Sequence, residues 1–293
     1  MSEQIRQAVI LAAGKGKRLH PVTPQRSKAM APVAGKPIVE RVLDTLVDNG
    51  IRHCILIVGP DDAEIVAYFQ QRNHIRFDFV IQSERLGMAH ALSLAAPHLH
   101  GAFILSACDN LVPAVHVADL LHTHRATGAN ATLSLLAIDR AHAASTGIVE
   151  WDGTWVRRIV EKPTPAEAPS DISSLPLYLF SPKLLDYLPL VKPSPRGEYE
   201  LQDAIQLLIA NAGRVTGMLT PGRLQLTNTA DLLALNRHYL AIEPDAAQIL
   251  TQAIGSGTRL IPPVRIEAGS TIGADCVIGP YVTIERDCQI GAG

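Results

Sequence analysis

Over the first 130 residues, short apolar runs alternate with stretches of helical spacing. "QAVIL" (Gln7 to Leu11) is a β-rich run that ends at a glycine-bearing segment. "KPIVERVLDTLVDNG" follows with Ile38, Val42, Leu46 and Val47 on one helical face. Pro37 suits its first turn and Gly50 its C-terminal stop. "HCILIV" predicts a buried strand, and "DDAEIVAYFQQR", opening in acids, predicts a helix. "FDFVI" reads as a strand, "GMAHALSLAAPHL" as a helix and "AFILSAC" as another strand. This rhythm predicts right-handed β-α-β units and a Rossmann-like α/β fold with a mixed, mostly parallel sheet. Past Ala131 the pattern becomes β-rich ("ATLSLLAI", "GIVEWD", "WVRRIVE", "PLYLF"), as an extension of the sheet with an inserted β layer. Helical spacing returns in "ELQDAIQLLIANAG" and "TADLLALNRHYL".

The C-terminal pattern is different. Leu260, Ile266, Ile272, Ile278, Ile284 and Ile290 recur every six residues, and three of them precede glycine. One aliphatic per hexapeptide suits a short β-solenoid in which each aliphatic stacks inward. A solenoid this short exposes its end, so it is expected to form a homo-oligomer or to continue beyond the incomplete repeat at "IGAG".

Composition narrows the function classes. With 47% hydrophobic residues, the 293-residue chain supplies a sizeable core for a large domain plus a small one. A formal net charge of −2 argues against a nucleic-acid partner. The four cysteines form no CxxC pair and read as reduced thiols of a cytoplasmic protein. No apolar run reaches the roughly 18 residues of a membrane span, and no signal-peptide core is visible.

Positive charge is concentrated in "LAAGKGKRLHPVTPQRSKAMAPV" (Leu11 to Val33), directly after the first strand. Flexible glycine backbone beside clustered lysine and arginine points to an anionic ligand, because N–H groups there approach phosphate oxygens closely. The segment is neither a dinucleotide-binding GxGxxG, which needs glycine at Leu19, nor a P-loop. Instead it resembles the signature of the sugar-1-phosphate nucleotidylyltransferases, the glucose-1-phosphate thymidylyl- and uridylyltransferases. The order of Gly14, Gly16, Arg18, Pro21, Thr23, Lys28 and Pro32 carries the likeness. The resemblance implies a GT-A-like nucleotidyltransferase domain over 1–242; with the six-residue period, the expected organisation continues with a helical linker over 243–257 and a short left-handed hexapeptide β-helix over 258–293. The resemblance also implies a nucleoside triphosphate lying across Leu11, Ala12, Ala13, Gly14, Gly16 and Arg18, with Arg18 and Lys28 stabilising the charge that builds as pyrophosphate leaves.

Further stations fit the same family. "QSERLGMAHAL" resembles its base-reading segment, with Gln82 facing the imide edge of uracil or thymine and Gly87 admitting the base. Asp109 ends "FILSACDN" at the carboxyl end of a strand, where the resemblance places a Mg²⁺ ligand, although Cys108 stands in place of the usual glycine. Gly147 in "STGIVEWDG" would approach the sugar. Glu161 and Lys162 in "VRRIVEKP" would hold sugar hydroxyls and the 1-phosphate, and Glu200 in "GEYELQD" is a second sugar contact.

Two stations depart from the pattern. "SSLPLYLF" carries Leu175 and Pro176 where the family has a small residue and glycine. "QLTNTADLLALN" has Gln225 in the place of a second metal-binding aspartate, which leaves Asn228 as the candidate ligand. The expected activity is Mg²⁺-dependent transfer of a nucleotidyl group from UTP or dTTP to a sugar 1-phosphate. The alternatives are a catalytically impaired, nucleotide-binding regulatory homologue and the N-terminal part of a bifunctional uridylyltransferase–acetyltransferase.

Overall fold

A computed structural model describes residues 4–22 and 26–293, so Thr23 of the signature lies outside the described residues. The chain divides into two compact units, residues 1–15 with 42–224 and residues 16–41 with 225–293.

The first unit is built on a nine-stranded sheet. Its strands are β1 (Gln7–Leu11), β2 (His53–Val58), β3 (Arg76–Ile81), β4 (Phe103–Ala107), β5 (Ala131–Ala137), β6 (Gly147–Trp151), β7 (Val156–Glu161), β8 (Ile172–Phe180) and β9 (Val215–Leu219). The order β7-β6-β8-β4-β1-β2-β3 is mixed. The run β4-β1-β2-β3 is parallel, and β8 turns antiparallel against β4. The apolar runs of β1, β2 and β4 are buried along almost their whole length, as strands covered on both faces must be. Chain order reverses between β1 and β4. That reversal opens a crevice at the carboxyl ends of these strands, the usual ligand position in an α/β sheet.

β8 exchanges neighbours along its length. Ser173 and Ser174 register with Ile148 and Gly147 of β6, whereas residues 177–180 register with β4. A bulge between Ser174 and Tyr178 accompanies this switch, and Pro176 sits inside it. A bulge needs no ladder N–H, which is why proline is tolerated within this strand.

Helix α1 (Ile38–Asp48), α2 (Ala63–Phe69) and α3 (Met88–Ala95) follow the predicted spacing. Sequence periodicity missed the next helix, α4 (Ala114–Thr127), because its buried face is partly polar. His116 Nε2 lies 2.8 Å from Ser134 Oγ, and His124 Nδ1 lies 2.9 Å from Thr132 Oγ1. Both hydroxyls belong to β5, whose alternate residues Leu133 and Leu135 join the main core with α5 (Leu201–Ala212).

The second unit holds residues 16–41, helix α6 (Thr229–Ile242) and the solenoid. Arg259–Leu260 pairs in parallel with Val277–Ile278, Val264–Ile266 with Val282–Ile284, and Thr271–Ile272 with Gln289–Ile290. The offset of eighteen residues makes three hexapeptides per coil. Val264, Ile266, Ile272, Cys276 and Ile284 form its core. The expected helical linker is corrected here. Residues 243–257 contain only a 3-10 turn, Pro244–Ala246, and Ile249 and Ile254 already bridge to Ile266 and Ile272. Ile254 falls one period before Leu260, so the stacking of aliphatics starts earlier than the sequence pattern suggested. No helix among the described residues is long and apolar enough to cross a membrane.

Candidate functional site

The carboxyl ends of β1 and β4 open into a cleft of about 370 Å³. Leu11 lines it from the end of β1, Ala13 and Gly14 from the segment after β1, Gln82 and Gly87 from the segment after β3, and Glu161, Lys162 and Glu200 from the far side. Most of the expected nucleotide- and sugar-binding residues therefore share one cavity. Ala12 lies behind the wall, fully buried, with its N–H donating to Ile57 O. Gly16, Arg18, Lys28 and Asn228 belong to the solenoid unit.

Gln82 is 5% exposed. Its Nε2 donates to Gly87 O and lies 3.2 Å from His90 Nδ1. A carbonyl only accepts, so Gly87 O fixes the amide orientation and turns the carboxamide oxygen the other way. Gly87 has φ 102°, and a Cβ there would sit 2.5 Å from Tyr199 O. Hydrogen bonds from Tyr199 N to Leu86 O and from Ala89 N to Tyr199 O clasp the two segments together. Gly87 is thus required by the fold as well as by any base it admits. Gly87→Ala should cost about 2–3 kcal/mol of stability, from backbone strain and the clash with Tyr199, as read by urea unfolding. A loss under about half a kcal/mol would refute the steric account.

Sequence reasoning missed Arg85. It lines the cleft and donates from Nε to Ala13 O at 2.6 Å, tying the Gln82 segment to the loop after β1. Its place between Gln82 and Gly87 was the available signal.

The far side is dense in charge. Lys162 follows β7 at φ 47°, a left-handed conformation unusual for lysine, and its N–H donates to Thr146 O. Its Nζ lies 3.3 Å from Glu161 Oε1, while Glu161 Oε2 is buried with no protein partner. Burial raises the Glu161 pKa, and Lys162 only partly offsets this. Gly147 backs this carboxylate: a Cβ there would come within 3.1 Å of Glu161 Oε2. Glu200 accepts from Ser194 Oγ and from Arg196 Nη2 at 2.7 Å.

The two expected metal ligands belong to different units. Asp109 follows Cys108, whose N–H donates to Leu11 O, so it stays at the strand end. A single hard carboxylate suits Mg²⁺ that arrives with phosphate oxygens. Burial lowers the pKa of Arg223, and the Asp109 charge opposes that shift. Asn228 does not fit the metal role. Its Oδ1 accepts from Ala230 N and Asp231 N, and with Asp231 it forms the capping box of α6. Among the described residues, no group of three or more His, Cys, Asp or Glu side chains forms a metal site.

The family described as Nucleotidyl transferase matches residues 7–240. The chain belongs to this family. The UTP–glucose-1-phosphate uridylyltransferase AglF of Haloferax volcanii is 34% identical over 218 residues, covering 74% of this chain and 88% of that protein. A glucose-1-phosphate thymidylyltransferase of Streptomyces griseus is 32% identical over 304 residues, covering 97% of this chain and 84% of its own length. A crystal structure of UDP-glucose pyrophosphorylase with UDP-glucose superposes with a TM-score of 0.73 at 19% identity, over 80% of this chain and 98% of that one. At that identity the likeness concerns the fold, and it is the nucleotidyl transferase fold that places the cleft at the β1–β4 reversal.

Proposed function

We propose that the chain transfers a nucleotidyl group from UTP or dTTP to a sugar 1-phosphate, releasing pyrophosphate. The observation that carries this reading is a single cleft with an amide acceptor at one end and a carboxylate–ammonium pair at the other. Uracil and thymine present an imide N–H, the donor that the Gln82 carboxamide oxygen requires, whereas the ring N3 of cytosine only accepts.

In the proposed reaction a sugar-phosphate oxygen attacks the α-phosphorus in line. A new P–O bond forms, the bond to the bridging oxygen breaks, and the electron pair leaves with pyrophosphate. The nucleophile is already an anion, so no general base is needed. Lys162 positions the 1-phosphate, Glu161 and Glu200 accept from sugar hydroxyls, and Gly14 lets the loop backbone face the triphosphate. Arg18 and Lys28 stabilise the charge that grows on the leaving group. When bound, Mg²⁺ at Asp109 would neutralise phosphate charge.

Pyrophosphate release with a panel of triphosphates and sugar 1-phosphates tests the reading. Release is expected with UTP or dTTP and to stop on chelation of divalent metal. Tight nucleotide binding with no release from any pair would favour a regulatory homologue instead.

A further inference from the structure

The basic half of the signature loop is folded together with the solenoid, in one compact unit. Lys28 opens the turn Lys28–Met30, which runs into a two-stranded hairpin, Pro32–Val33 against Lys36–Pro37. Ile38 N donates to Ala31 O and closes the base of the hairpin. Its tip, Ala34 and Gly35, is left-handed at φ 46° and 83°.

The polar groups of the tip lead away from the loop. Ala34 N donates to Asn236 Oδ1 of α6 at 2.8 Å, and the same oxygen accepts from Thr283 Oγ1 of the solenoid at 2.9 Å. Asn236 Nδ2 donates to Leu232 O, which fixes the amide orientation. Val33 O and Ala34 O accept from Arg41, a buried cation that also pairs with Glu243 and stacks on Tyr239. The Arg265 guanidinium of the solenoid lies against Gly35, where a side chain would collide with it. Earlier in the loop, Arg26 pairs with Glu285 of the solenoid at 3.0 Å.

We infer that the solenoid holds the signature loop in its working position, and that Asn236 is the positioning residue through which it acts. This rests on the proposed role of Arg18 and Lys28 at the triphosphate. One carboxamide oxygen joins the loop, α6 and a solenoid coil, so loss of that acceptor breaks the bond of the tip to α6 and that of α6 to the coil, and leaves the tip on its Arg41 contacts. The hairpin is short and closed at its base, so movement of the tip is passed to Lys28. Transition-state charge is stabilised only by cations already in place, so the cost falls on kcat.

Hydrogen exchange and steady-state kinetics on the full chain test this. Asn236→Leu removes the shared acceptor, whereas Asn236→Asp keeps it. In Asn236→Leu, exchange across residues 31–37 is expected to accelerate and kcat to fall, each by about tenfold or more, with KM for the sugar phosphate within about twofold. Asn236→Asp keeps the acceptor but loses the donor to Leu232 O, so it should lie between Asn236→Leu and wild type in both measurements. Should Asn236→Leu fail to fold, Thr283→Val removes one of the two donors and should show the same pattern more weakly. Unchanged exchange, or faster exchange at unchanged kcat, overturns the inference. If the wild-type chain releases no pyrophosphate from any pair, the catalytic reading of the loop falls, while exchange still decides whether Asn236 holds it.

Discussion

Lys162→Met is expected to lower kcat for pyrophosphate release by about 100-fold or more while barely moving the thermal midpoint. The ammonium carries two charge-dependent tasks. It would hold the incoming 1-phosphate, and it is the cation that faces Glu161 Oε1. Burial already raises the Glu161 pKa, so removing Lys162 raises it further and leaves the carboxyl protonated over more of the pH range. A protonated Glu161 accepts poorly from sugar hydroxyls, so KM for the sugar phosphate should rise as well. Lys162→Gly separates site from scaffold. Glycine adopts φ 47° without strain, so this variant should gain up to about 1 kcal/mol in stability while losing activity as methionine does. Wild-type turnover in either variant would remove Lys162 from the site.

Acid should destabilise the fold through α4. Burial lowers the His124 pKa from the ordinary 6.5 to about 4, and it lowers that of His116 as well. Between these values the unfolded chain binds a proton that the folded chain refuses. Stability is therefore complete above about pH 6.5 and falls as pH drops through this window. The full shift at His124 corresponds to about 3 kcal/mol, a sizeable part of a domain's net stability. Unfolding midpoints measured from pH 7 to 4 should show this slope. His124→Asn carries no titrating ring and should flatten it, at a neutral-pH cost of about 1–2 kcal/mol for the poorer fit. An equally steep slope in this variant would place the acid sensitivity elsewhere.

Nucleotide selectivity and catalytic rate should be separable in this protein. The residues proposed to read the base and hold the sugar line one cleft in the sheet unit, whereas Arg18 and Lys28 are folded with the solenoid. Substitutions at Gln82 or Glu161 are expected to act through KM for their own substrate, and those at Asn236 through kcat.

Local pattern along the chain is enough to read the parallel strands β1 to β4, the solenoid period and the signature residues. These are patterns of neighbouring residues, legible wherever an apolar run or a repeat faces one environment. It also singled out Gln82, Glu161 and Lys162, which line the cleft, because each sits in a short motif at a strand end. The rest depends on contacts between distant segments. α4 escaped notice because His116 and His124 satisfy Ser134 and Thr132 across the core, a pairing of polar groups distant in sequence. Asn228 looked like a metal ligand until its oxygen proved to cap α6. The need for glycine at position 87 comes from the Tyr199 backbone, and the role of Asn236 from Ala34 and Thr283, all contacts with distant parts of the chain. Spacing along a chain specifies which faces are buried. Which polar atom is left to meet a ligand is settled only when every other partner has been assigned in space.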